Sequence, residues 1–161
     1  MFDCVGSDQT AVGGEDGITV SVDEQVKRTP GGVLVLRTLT MPKDTNPRGD
    51  IFGGWILSQM DIAGGLMSSE VAQGRTVTVS VDDIVFRRPV RVGDTVCVYA
   101  KLLQVGNSSL DIALEVWARQ LVGAYEAERQ LVTEGVFRYV AIDDHGMPRR
   151  VADNPGFFTR A

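Results

Sequence analysis

One carboxylate in this chain sits where a carboxylate is hard to keep. Asp61 lies in the run GDIFGGWILSQMDIAGGLM, from Gly49 to Met67, which reads as a glycine-opened helix apolar on nearly every side. Trp55, Ile56, Leu57, Met60, Ile62, Ala63, Leu66 and Met67 leave Ser58, Gln59 and Asp61 as its polar members. A helix apolar all round is expected to be buried in its own core or in a partner, and a carboxylate there is costly unless it is paired, protonated or used. In use, it would take a proton from water or itself attack an electrophilic carbonyl. The helix start offers the complementary half at Gly53 and Gly54. The first amides of a helix lack intrahelical partners and carry the positive end of its dipole. Glycine there lets an oxygen approach the backbone closely.

Other ways to do chemistry are scarce. The single histidine, His145, stands in a DDHG turn and reads as a solvated turn residue. A Ser-His-Asp arrangement is therefore not expected, and there is no G-x-S-x-G elbow. Cys4 and Cys97 form no CxxC pair and no His-Cys cluster, so they frame no metal site. They read as two free thiols of a reducing compartment. The acidic, glycine-rich start lacks the basic and apolar regions of a signal peptide. No apolar run approaches the roughly 20 residues that span a bilayer, and a cytoplasmic location is expected. With a formal net charge of -5 and a pI near 4.8, the chain is a poor partner for nucleic acid.

Positioning these groups falls to a short list of elements. The 161 residues, 43% hydrophobic and 23% charged, suit one globular domain. Residues 1–31 read as a flexible acidic arm, 32–146 as the folded domain and 147–161 as an exposed tail ending in Phe157-Phe158. VLVLRTLTM, from Val33, reads as a strand. Pro42, Asn46, Pro47 and Gly49 mark a loop, and a helix from about Gly53 to Val71 closes near Gln73-Gly74. TVTVSVDDIVFRRPV, DTVCVYAKLLQVG, SSLDIALEVWARQLV and RQLVTEGVFRYVAID follow as four long strands in meander spacing. In the first, Thr78, Ser80 and Asp82 alternate with Val77, Val79 and Val81. One apolar helix and one large antiparallel sheet predict an α+β domain in which the sheet wraps the helix. Its long edge strands predict self-association.

LRTLTMPKDTNPRGDIFGGWILSQMDIAGG, followed by GRTVTVSVDDIVFRRPVRVGDTVCVYA, SSLDIALEVW and GVFRYVAID, resembles the hotdog-fold acyl-CoA thioesterases of the bacterial YciA type. The likeness covers Val33 to Arg149 and rests on the PxDTN loop, the GDIFGGW helix entrance and the following MD, in order. It implies a long helix inside a curled antiparallel sheet, two protomers joining their sheets, and acyl-CoA at the dimer interface. Trimers of such dimers are common in that family. Carried over, the essential carboxylate falls on Asp61, the supporting asparagine on Asn46, and the carbonyl-polarising amides on Gly53 and Gly54. Asn46 read by itself is equally an Asx-turn residue of a proline-rich loop. The CoA phosphates need basic groups. Arg87 and Arg88 in FRRPV match the family's basic strand end, with Arg91 nearby. Ser108 and Ser109 match a turn of the pattern VGRSS, in which Asn107 here replaces the arginine.

The resemblance implies an acyl-CoA hydrolase of broad short- to medium-chain tolerance, with no cofactor beyond the CoA of its substrate. A hydratase on the same fold would need a histidine near the helix. A non-catalytic acyl-CoA sensor could dispense with Asp61 and would carry a DNA-binding appendage. Helix geometry adds a constraint of its own. Gly54 and Asp61 are seven positions and about 10 Å apart along the axis, too far for one thioester to meet both. A site shared between two chains, two per dimer, removes the conflict.

Overall fold

β-branched and aromatic residues crowd five segments, and each becomes a strand. The computed structural model describes residues 28–120 and 128–151. β1 (Val33–Leu39) leads through a short 3-10 turn, Pro42–Asp44, into α1 (Gly53–Ala72). β2 (Thr76–Phe86), β3 (Asp94–Val105), β4 (Ser109–Gln120) and β5 (Gln130–Ala141) follow. β1 ends before Thr40, whose buried hydroxyl donates to the carbonyls of Arg91 (2.7 Å) and Asp94 (3.1 Å). α1 ends at Gln73, which adopts a left-handed conformation (φ 50°), and Arg149 donates to the Ala72 carbonyl at 2.9 Å. These contacts satisfy carbonyls that the last turn leaves open.

The strands form one antiparallel sheet in the order β1-β3-β4-β5-β2. The expected four-strand meander is thus a three-strand one, β3-β4-β5. α1 crosses the sheet between β1 and β2, so β2 lands beyond β5 at the far edge. Its pairing with β5 slips between Thr78 and Ser80 and again between Asp82 and Val85. Each slip interrupts the simple alternation read from the sequence. The sheet does not close, and β1 and β2 remain its edges.

Ile56, Met60, Ala63, Met67 and Val71 make the buried stripe of α1, at the spacing of one helical face. They pack on Val96, Val98, Ile112, Leu114, Phe137 and Tyr139 from the middle of the sheet. The opposite side of α1 is not covered: Ile62 is 48% and Leu66 49% exposed, and Asp61 is exposed with them. Burial in the chain's own core, one of the two expected settings for such a helix, is met on one side of α1 only. Five strands cover one side of a helix and leave the other open.

Cys97 is a buried free thiol, set with Tyr99 and Trp117 on the face of the sheet away from α1. Residues 147–151, expected as the beginning of an exposed tail, fold back: Pro148 bridges to Ile142, and Val151 is buried in the core. Cys4, the possible strand at Ile18, Val20 and Val22, the polar loop from Gly123 as far as residue 127, and Phe157-Phe158 lie outside the described residues.

Tyr139 seats its ring against α1 where Gly64 has no side chain. A Cβ at Gly64 would lie 2.1 Å from the phenol oxygen and 2.7 Å from the ring carbon bearing it. Gly64→Ala is expected to destabilise the fold by about 1–3 kcal/mol, an overpacking cost. A lowered urea midpoint at unchanged slope would register it.

Candidate active site

The loop before α1 is built around Asn46. Its side-chain oxygen accepts from the amides of Arg48 (2.8 Å) and Asp50 (3.3 Å), and its own amide donates to the Asp50 carbonyl at 2.7 Å. The Asx-turn reading of Asn46 is therefore realised. Its side-chain nitrogen makes no hydrogen bond among the described residues, so one half of the group shapes the loop while the other stays available. The loop delivers the chain to Phe52, the residue before the first helical turn. Phe52 gives that turn no side-chain acceptor, and no acidic residue stands in it. The amides of Gly53 and Gly54 thus begin a helix with the positive end of its dipole uncapped.

A pocket of about 320 Å³ opens at this helix start. Asn46, Gly53, Phe86, Arg87, Arg88 and the buried Thr133 line it. Four residues chosen from the sequence, Asn46, Gly53, Arg87 and Arg88, are therefore brought together by three separate segments. Gly54 follows on the next helical position, and a Cβ there would lie 2.5 Å from the Phe52 ring.

The two arginines differ. The Arg87 guanidinium forks onto Oε1 of Glu134, with Nε at 2.8 Å. Oε2 of Glu134 takes Arg28 at 2.7 Å, and Arg28 also reaches Glu115 at 2.7 Å. Among the described residues Arg88 has no ion pair, which leaves its charge to the pocket mouth. Burial pushes the Glu134 carboxyl up, but hydrogen bonds from Arg28 and Arg87 outweigh it and hold Glu134 below the ordinary carboxylate range.

Asp61 is not part of this pocket. It lies eight residues beyond Gly53, about 12 Å along the helix, on the uncovered side. Its neighbours are Thr78 of β2, which donates to Oδ1 at 2.5 Å, and Tyr139 of β5, 3.3 Å from both Oδ1 and the backbone carbonyl. Burial, followed by the charge of Asp61 and its hydrogen bond, pushes the Tyr139 phenol well above its ordinary value, so it stays a proton donor. Neither residue was selected from the sequence. A threonine and a tyrosine in strands carry no signal until the ladder sets Thr78 opposite Tyr139 beneath the helix. Thr133 was missed for the same reason.

Ser108 and Ser109 are not brought to the pocket of their own chain. Ser109 pairs with Val140, whereas the pocket residue Thr133 pairs with Val116. Seven strand positions separate the two levels, about 24 Å. His145 occupies an exposed turn whose amides are held by Asp143, as the sequence suggested. No group of three metal-binding side chains occurs among the described residues.

Known proteins with similar sequences and structures point in one direction. Residues 48–124 match the family model described as the Thioesterase superfamily. The chain is 52% identical over 120 residues to the acyl-CoA thioester hydrolase YciA of Escherichia coli (strain K12), across 74% of this chain and 91% of that one. The crystal structure of HI0827, a hexameric broad-specificity acyl-coenzyme A thioesterase, matches with a TM-score of 0.74 and 49% identity, covering 79% of this chain and 86% of that one. The hexameric thioesterase y2039 from Yersinia pestis matches with a TM-score of 0.73 and 54% identity, covering 77% and 98%.

Because Glu134 is held ionised, the stability it adds is present above its unfolded-state pKa and is lost as pH falls through its lower folded value. Glu134→Gln is expected to lower the stability at pH 7 by an amount on the order of 1 kcal/mol, since both of its arginine partners are about half exposed. That deficit should shrink as pH falls from the ordinary carboxylate range to below it, which thermal melts of both proteins across an acid pH series would check.

Proposed function

The chain belongs to the hotdog-fold acyl-CoA thioester hydrolases of the thioesterase superfamily, and we propose that it cleaves acyl-CoA in a site completed by two copies of itself. The observation that carries this reading is the separation within one chain. The pocket with Asn46, Gly53, Arg87 and Arg88 opens at the helix start, while Asp61 stands on the exposed side about two turns away. β2 is an unpaired edge beside that side, with Val77, Val79, Val81, Val85 and Phe86 all 40–53% exposed. Apolar residues along an open strand edge are what a partner sheet covers. A second copy docked there supplies its Asp61 to this pocket, and receives this chain's Asp61 in return. The solved relatives above are hexameric, which supports three such dimers.

In the shared site the thioester carbonyl rests against the Gly53 and Gly54 amides, whose donors strengthen as charge develops on its oxygen. Asp61 of the other protomer takes a proton from water, and the water oxygen attacks the carbonyl carbon. The tetrahedral intermediate collapses with loss of the C–S bond. The sulfur leaves as thiolate and is protonated, giving free CoA and a carboxylic acid. The side-chain nitrogen of Asn46, without a hydrogen bond among the described residues, supplies a further donor at the pocket. Arg88, with Arg87 behind it, meets CoA phosphate. Ser108 and Ser109 lie at the far end of the sheet, so their contact with CoA would come from the partner's substrate. Water is the only co-reactant, so no cofactor is needed. Among the described residues no helix is long and apolar enough to cross a membrane. The acyl-CoA substrate and the free thiol of Cys97 support a cytoplasmic setting.

Release of CoA thiol from a panel of acyl-CoAs tests the assignment. Asp61→Asn is expected to lower kcat by roughly 10²- to 10⁴-fold, and equal rates would remove Asp61 from the chemistry. Mixing Asp61→Asn with Asn46→Ala chains should regenerate one intact site in each mixed dimer. Absence of any recovery would place both residues in a site within one chain. Arg88→Ala should raise KM for acyl-CoA with little change in kcat, a loss of uniform binding.

A further inference from the structure

Glu115 of β4 and Glu134 of β5 stand directly opposite one another in the ladder. They lie on the face of the sheet away from α1, where the Trp117 indole donates to Oε2 of Glu115 at 2.9 Å. Like charges so placed repel, and side chains only 14% and 19% exposed are little screened by water. The cation between them comes from outside the sheet. Arg28, five residues before β1, reaches Oε1 of Glu115 and Oε2 of Glu134, both at 2.7 Å. The Gly31 amide then donates to Oε2 of Glu115 at 3.0 Å. At Gly32 (φ 81°) a Cβ would lie 2.2 Å from the Ala100 carbonyl oxygen, so the chain crosses β3 at backbone contact. Residues 28–32 are strapped onto the sheet by these contacts.

The other oxygen of Glu134 leads to the pocket. Oε1 takes the Arg87 guanidinium, with Nε at 2.8 Å, and Arg87 lines the pocket beside Arg88. One carboxylate therefore joins a residue ahead of the first strand to the pocket wall. The two arginines sit on opposite oxygens of it, well inside the roughly 10 Å over which charges act at 0.1 M salt. Arg28, Glu115, Glu134 and Arg87 together carry no net charge. Without Arg28, two carboxylates would face Arg87 alone, and their surplus negative charge would oppose an incoming phosphate. We infer that Arg28 is a positioning residue for substrate: it neutralises the Glu115–Glu134 pair and so keeps the Arg87 charge available to CoA phosphate. The inference rests on the reading of Arg87 and Arg88 as the groups that meet phosphate. The strap ahead of β1 thereby sets the affinity of a pocket it does not line.

Thiol release at low salt tests this with two substrates, acyl-CoA and acyl-pantetheine, which carries the same thioester but no phosphate. Arg28→Ala should raise KM for acyl-CoA about two- to fivefold, the scale of a screened surface charge, with kcat unchanged. KM for acyl-pantetheine should not move. At about 1 M salt, where the screening length is about 3 Å, the ratio of variant to wild-type KM should fall toward one. Arg28→Lys, which keeps the charge, should behave as wild type. Glu115→Gln should act in the opposite direction and lower KM for acyl-CoA. Combined with Arg28→Ala it makes the set neutral again and should return KM to near the wild-type value. If Arg28→Ala does not fold or assemble, Glu115→Gln decides alone: a lowered KM supports the coupling, and an unchanged or raised one overturns it. The coupling is also overturned if Arg28→Ala leaves KM for acyl-CoA unchanged, if both substrates lose affinity equally, or if the double variant is no better than the single one. Arg88→Ala in the same assay separates the two levels. If it raises KM for acyl-CoA while Arg28→Ala does not, only the role of Arg28 fails. If Arg88→Ala leaves KM unchanged, the phosphate reading of the pocket fails and this inference with it.

Discussion

A helix with apolar residues on two sides cannot be satisfied by a five-stranded sheet that covers one. Ile56, Met60, Ala63, Met67 and Val71 fill the inner side against the sheet, while Ile62 and Leu66 stay outside. Covering the second side requires further strands, and the chain has none left among its described residues. The β2 edge, itself lined with exposed valines, borders that uncovered side. Apolar burial therefore drives the fold and leaves an apolar surface of the kind that the proposed second copy would cover. The same incomplete cover leaves Asp61 accessible, so that a carboxylate which would be costly in a closed core is tolerated at the surface.

The helix start shows a related compromise. A serine or aspartate before Gly53 would satisfy a free amide and stabilise the helix by about 1 kcal/mol. Phe52 stands there instead, with no side-chain acceptor, and the first turn has no acidic residue. The structure thus forgoes a local gain and keeps a dipole end open toward the pocket. Asn46 divides its two atoms in a similar way. Its oxygen holds the loop that leads into α1, and its nitrogen makes no hydrogen bond among the described residues. Arg87 and Arg88, adjacent in sequence, also differ in their partners: one is tied to Glu134 in a network reaching Arg28 and Glu115, the other has no ion pair among the described residues.

What the chain reveals before folding depends on how local the governing physics is. The helix was legible because its apolar run, its glycine entrance and its Gln73-Gly74 exit are all short-range signals. The long strands were legible from their β-branched content. The position of β2 was not, since a strand's neighbours are chosen by the path of the helix between β1 and β2, which no local pattern records. The sequence motif selected Asn46, Gly53 and Arg88 for one site, and the pocket gathers them. It also grouped Ser108 and Ser109 with them, although the sheet holds those serines about 24 Å away along the strands. Motif order is one-dimensional and does not tell which chain of an assembly supplies each residue.

The sequence by itself determined the elements, the thioesterase resemblance and the choice of Asp61 as the candidate base. Those follow from residue types and near-neighbour spacing, which secondary structure reads directly. Only the tertiary structure decided that Asp61 faces outward, that its own pocket lies two turns away, and that Thr78 and Tyr139 hold it. Each of these depends on strand register and on which side of α1 the sheet covers. Both are set by long-range pairing and by the limited width of five strands.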